Sequence, residues 1–94
     1  MKCFSIYDCK AYVFNVPFFS VSSGVASRMF FDLVSDSGSI IHAHPSDFTL
    51  YEIGDFDEKS GLVISYDKPD FVCSASEFAA IRPVDDDFDY GSDD

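Results

Sequence analysis

The feature that most restricts how this chain can fold is the source of its apolar volume. Phenylalanine supplies 11 residues and tyrosine 5, tryptophan is absent, and leucine stands only at positions 33, 50 and 62. Rings must therefore carry the packing, and rings favour half-buried pleated surfaces. With 94 residues and 47% hydrophobic content there is material for one folded domain and none for a second core. A core of this size seldom yields more than about 3–5 kcal/mol without a staple, so a homodimer is expected. Disulfides do not supply that staple: Cys3, Cys9 and Cys73 are odd in number and form no Cys-x-x-Cys pair. A reducing compartment follows. No secretory leader and no apolar run of membrane-spanning length is present, which predicts a soluble cytosolic protein with no membrane partner.

Net charge is −11, but it is unevenly spread. Residues 1–44 balance Lys2, Lys10 and Arg28 against Asp8, Asp32 and Asp36. Residues 45–84 carry a net −5, and residues 85–94 hold six acids and no base. Such acidity excludes a uniformly attractive surface for duplex DNA, and leaves room for a local site in the neutral half.

Local patterns predict an α+β domain over residues 1–84: an antiparallel sheet of three to four strands, one packed helix and a short C-terminal helix. Alternation makes residues 2–7 a strand, and residues 12–16 a second one that Pro17 ends or places at an edge, with Phe18 and Phe19 in the loop beyond. Val25, Met29, Phe30, Leu33 and Val34 form one stripe at helical period, so residues 25–35 read as a helix. Ser22 or Ser23 would cap it, and Gly38 would close it in the left-handed conformation. Residues 40–45 read as a connector. Residues 48–53 and 62–66 form a hairpin with Gly61 in its bulged turn, and the sequence Asp67-Lys68-Pro69-Asp70 breaks the second strand. Ser74 and Glu77 have capping-box spacing ahead of a helix that Pro83 stops. Residues 85–94 are too acidic to bury surface and are expected to be disordered.

Catalytic signatures are absent. His42 and His44 would share one face of an extended segment, with Asp36 and Asp47 near, yet two histidines beside a proline do not make a metal site. Asp55, Asp57 and Glu58 lack the glycine and the terminal acid of a calcium loop and read as a solvated turn. No phosphate-cradling glycine loop occurs. The expectation is a protein that is not an enzyme and uses no cofactor or metal.

Two features point to binding. Tyr12, Phe14, Phe18 and Phe19 interleave with Lys2, Lys10 and Arg28, the pairing of ring faces and sparse cations used in sequence-tolerant single-strand recognition. From this set Lys2, Lys10, Tyr12, Phe18, Phe19 and Arg28 are the expected nucleic-acid contacts. The tail combines Asp85, Asp86, Asp87 and Asp89 with Phe88 and Tyr90, an expected partner-binding segment. In composition it resembles the acidic, aromatic-bearing tips of bacterial single-strand binding proteins.

Several stretches, in order, resemble one family. They are Tyr7-Asp8-Cys9-Lys10-Ala11, Pro17-Phe18-Phe19, Gly24-Val25-Ala26-Ser27-Arg28-Met29-Phe30, His44-Pro45-Ser46-Asp47-Phe48-Thr49-Leu50-Tyr51, and Gly54-Asp55-Phe56-Asp57 with Gly61, followed by Pro69 and Glu77-Phe78. Up to about Ile81 the chain is similar to the small nonstructural DNA-binding protein of the gokushoviruses, single-stranded DNA bacteriophages of the Microviridae. The resemblance implies a protein of the infected cell's cytoplasm that is absent from the mature virion. It further implies a counterpart of the φX-type protein C, acting on the replication complex or procapsid in viral DNA replication, genome packaging and single-stranded genome synthesis. It brings no catalytic residue. The alternative is a protein–protein adaptor whose acidic face and tail engage a basic replication, capsid or host partner without touching DNA.

Overall fold

The N-terminal alternation becomes β1 (Lys2–Asp8), the strand around which an antiparallel sheet is arranged. The computed structural model describes residues 1–81 and gives an α+β fold. The elements that follow β1 are β2 (Val13–Phe14), β3 (Phe18–Ser20), α1 (Ser23–Ser35), α2 (Ile40–Ala43), a 3-10 turn (Pro45–Asp47), β4 (Phe48–Phe56), β5 (Val63–Ser74) and α3 (Ala75–Ile81). β4 pairs with β1 on one side and with β5 on the other.

The opposite edge of β1 is covered by β2 and β3 in turn. Tyr7 pairs with Phe14 and Asp8 with Val13, whereas Phe4 pairs with Phe18, Cys3 with Phe19 and Lys2 with Ser20, so the register slips by one residue between the two pieces. The second strand is thus shorter than the expected residues 12–16, and Phe18 and Phe19, expected in a loop, resume it. Pro17 has no N–H to give the ladder, but on an edge a one-residue bulge lets the chain pair again beyond it. The bulge is held by Asn15, whose N–H donates to the Ile6 carbonyl at 2.8 Å and whose carbonyl accepts from Ser5 Oγ at 2.6 Å.

Helix α1 starts at Ser23, with Ser22 Oγ accepting the Val25 N–H at 3.2 Å. Its buried line is Ala26, Phe30 and Val34, while Met29 and Leu33 stay 45% and 39% exposed on its flank. The helix closes without a left-handed glycine: Asp36 Oδ1 accepts the Gly38 N–H at 3.0 Å, a side chain taking over the turn. The expected connector contains α2, because Ser39 Oγ caps the Ile41 N–H at 3.0 Å and Ile41 reaches the core.

The β4–β5 hairpin turns through Gly61 at φ 78°, where only glycine is free of strain. Asp57 organises the turn, accepting from the Lys59 N–H at 3.0 Å and from Ser60 Oγ at 2.8 Å. β5 continues through residues 67–70 instead of breaking there. Glu52 pairs with Asp70 and Gly54 with Ser65, so the four residues from Tyr66 to Pro69 face the single residue Ile53. The proline and charges therefore bulge the strand without ending it. At Gly54 the strands meet so closely that a Cβ would lie 2.6 Å from the Ile64 carbonyl oxygen. Glu77 Oε2 accepts the Ser74 N–H at 3.0 Å, completing the start of α3.

The core lies on one side of the sheet, where Phe4, Ile6, Phe48, Leu50 and Cys73 meet Ala26, Phe30 and Val34 of α1, with Ile41 and Ala75. Phe78 of α3 closes its end, 5.2 Å and 6.2 Å from the Phe31 and Phe30 ring centroids. Cys3 and Cys73 are buried and Cys9 is exposed, all as free thiols. Burial pushes the Cys3 and Cys73 thiols up. The expected stop at Pro83 and the acidic tail at residues 85–94 lie outside the described residues.

Candidate nucleic-acid interface

Strand alternation sends neighbouring side chains to opposite faces. Since Phe4 and Ile6 point into the core, Ser5 and Tyr7 point away from it, and their partners in β4, Tyr51 and Thr49, do likewise. Phe14 pairs with Tyr7 and Phe71 pairs with Tyr51, so one aromatic row crosses β2, β1, β4 and β5 on the face opposite the core, which carries no helix among the described residues. The Tyr7 and Phe14 centroids are 4.8 Å apart, Phe14 and Tyr51 5.6 Å, and Tyr51 and Phe71 6.3 Å. Most of these contacts are edge-to-face, and the row stays partly open to solvent, with Phe14 44% exposed and Phe71 61%. Between Tyr7, Phe14 and Tyr51 lies a shallow pocket whose remaining wall is Lys68 and Pro69 from the β5 bulge.

The bulge is tied down from the other side. Tyr51 and Glu52 are consecutive, so Glu52 leaves β4 on the helix-bearing side, where it accepts the Tyr66 O–H. Lys2 Nζ lies 3.6 Å from Glu52 and 4.0 Å from Asp55. The hydrogen bond to Glu52, then loss of hydration, raises the Tyr66 phenol above its ordinary range. The Lys2 ammonium is also raised, by the negative charge available at Tyr66 and then by Asp55 and Glu52.

The expected contacts do not form one surface. Lys2 is engaged in that acidic cluster on the helix side of the sheet. Phe18 stacks on Phe4 at 5.9 Å and belongs to the core's margin. Adjacent residues of β3 point oppositely, so Phe19 faces out, but into a separate patch with Phe56, 5.7 Å away, and with Met1 and Val63. Arg28 is exposed on α1, across the sheet from the aromatic row. Lys10 and Tyr12 are exposed in the β1–β2 turn, next to the Tyr7–Phe14 pair, with Tyr12 at φ 60° and 80% exposed. Asp85, Asp86, Asp87, Phe88, Asp89 and Tyr90 lie outside the described residues. Sequence reasoning missed Tyr7, Tyr51, Phe71 and Lys68, although the alternation over residues 2–7 carried the signal for the first of them.

His42 and His44 do not sit side by side on an extended segment. His42 is in α2, its Nδ1 2.8 Å from the Val34 carbonyl oxygen, and His44 follows as the helix cap. Among the described residues no three His, Cys, Asp or Glu side chains converge as a metal site would need. None of the described helices is long and apolar enough to cross a membrane. The arrangement can offer flat apolar faces and one ammonium to a planar, anionic ligand.

Residues 1–78 match the family described as Phage ORF5 protein. The chain is also similar to Protein ORF5 of Chlamydia phage 1, with 42% identity over 65 residues, covering 65% of this chain and 68% of that protein. No solved structure matches.

Proposed function

The chain belongs to the Phage ORF5 protein family, and from that premise we propose that it is a nonstructural regulator of a single-stranded DNA phage that binds single-stranded DNA, or replication intermediates exposing it, during genome synthesis and packaging. The observation that carries this reading is the solvent-facing row Tyr7, Phe14, Tyr51 and Phe71 with Lys68 at its pocket. Bases stack on exposed rings whatever their sequence, each contributing about 1–3 kcal/mol, and need few cations to do so. That is how a chain of net charge −11 can hold a polyanion. It acts by binding, in the host cytoplasm, with no catalytic step.

The test is fluorescence anisotropy with labelled oligothymidine across a salt series. Binding that weakens as salt rises, and weakens again when Tyr51 or Phe71 becomes Ala, supports the reading; no binding at low salt overturns it. A chain ending at Val84 binds more tightly if the acidic tail competes with DNA for the site.

A second reading has its own observation. Ile6, Phe18, Met29, Phe30 and Leu33 line an apolar groove beside α1, with Asp32 and Asp36 at its rim. This is the surface an adaptor would offer to a basic amphipathic segment of a replication, capsid or host protein. Oligothymidine failing to bind while a basic amphipathic peptide binds at this groove would favour it.

A further inference from the structure

The cation at the aromatic pocket comes from an irregular stretch of strand, so something must fix where it points. In a regular strand Tyr66 and Lys68, two residues apart, would share a face. Here Tyr66 reaches Glu52 on the helix side, while Lys68 lines the pocket on the open side. The excursion opposite Ile53 makes that possible, since residues 66–69 have no ladder partner in β4 to hold them. The Tyr66 hydroxyl on Glu52, with Lys2 balancing the carboxylate, is the tie between this excursion and β4 in the middle of the sheet.

We infer that Tyr66 is a positioning residue, whose bond to Glu52 sets the β5 bulge so that Lys68 meets a phosphate between bases stacked on the Phe14–Tyr51–Phe71 row. The inference rests on the single-strand reading above and narrows its ligand to a short step of strand, neighbouring bases with the phosphate that joins them. Phe14 and Phe71 stand on either side of Tyr51, at 5.6 and 6.3 Å, so the row offers neighbouring bases separate ring faces. Lys2, expected to touch DNA, acts instead through Tyr66 and Glu52.

Salt dependence isolates the contact, because one phosphate neutralised on a single strand contributes about 0.7 to the slope of log affinity against log salt. Lys68→Gln is expected to lower the slope for oligothymidine by about 0.7 and to weaken binding at low salt about 3- to 10-fold. Tyr66→Phe, which leaves the ring and removes only the hydroxyl, is expected to do the same, and the double variant no more than either alone. Glu52→Gln keeps an acceptor for the hydroxyl and retains the wild-type slope. A merely structural role for Tyr66 would lower the melting temperature and leave the slope alone, so both are measured on each variant. Tyr66→Phe with the wild-type slope, or a double variant whose losses add, overturns the inference while the reading survives. Wild-type protein with no affinity for oligothymidine overturns both.

Discussion

Phe4, Ile6, Phe48 and Leu50 leave the sheet toward α1, whereas Tyr7, Phe14 and Tyr51, from the same or neighbouring strands, leave it on the opposite side. Both faces are built from large apolar side chains. On the helix side Phe4, Phe30 and Leu50 are fully buried, while on the other Phe14 and Phe71 keep about half their surface in water. The difference lies in what covers each face. Ring content alone therefore does not separate core from open face in this protein; the phase of the strand does, since one step along β1 or β4 moves a side chain from one face to the other.

That contrast breaks most visibly in stability. Phe30→Ala should cost about 3–5 kcal/mol by loss of packing and the cavity left behind, while Phe71→Ala should stay within about 0.5 kcal/mol, as surface changes do. Urea denaturation of the two variants measures this, and equal losses would make the open face a second core. Next in size is Gly54→Ala, which drives a methyl into the Ile64 carbonyl between β4 and β5 and should cost about 1–3 kcal/mol. Binding inverts the order. Tyr51→Ala and Phe71→Ala should each lose about 1–3 kcal/mol of affinity for oligothymidine, and Phe19→Ala, in the separate Phe56 patch, should lose none.

How far all this could be read from the chain depends on the range of the interactions involved. Both helix caps at Ser22 and at Ser74 with Glu77, the turn at Gly61, and the strand over residues 2–7 were legible because each is decided within a few residues. The resumption of the edge strand after Pro17 was not, since it depends on Ser5 and Ile6 meeting Asn15 across the sheet. The candidate site was legible only in kind, as rings with sparse cations. Its members come together through pairing between β1, β4 and β5, with Tyr7 and Phe71 some sixty positions apart, and no local pattern announces that.

Smaller effects appear in the pH dependence of stability. Tyr66 and Lys2 have raised values in the folded chain, so their contribution is complete below their ordinary values of 10.0 and 10.5 and is lost as pH rises through the higher folded ones. Thermal melts should therefore weaken in the alkaline range, and less so in Tyr66→Phe. Asp57 is lowered instead, first by the Ser60 hydroxyl, so its contribution is present above 3.8 and fades as pH falls below it. Ser60→Ala should shrink that acid-side loss, the smallest change of the series, and titration of Asp57 by NMR would detect it.

The unequal lengths of β4 and β5, nine residues against twelve, have a consequence for how the molecule can vary. The surplus is stored opposite Ile53 and near Val72, while the pairs on either side keep their own alignment. Relatives of this chain can therefore gain or lose residues between positions 66 and 69 without realigning the hairpin tip or the start of α3. The stretch that carries Lys68 is thus where insertions and deletions should concentrate while the scaffold stays fixed.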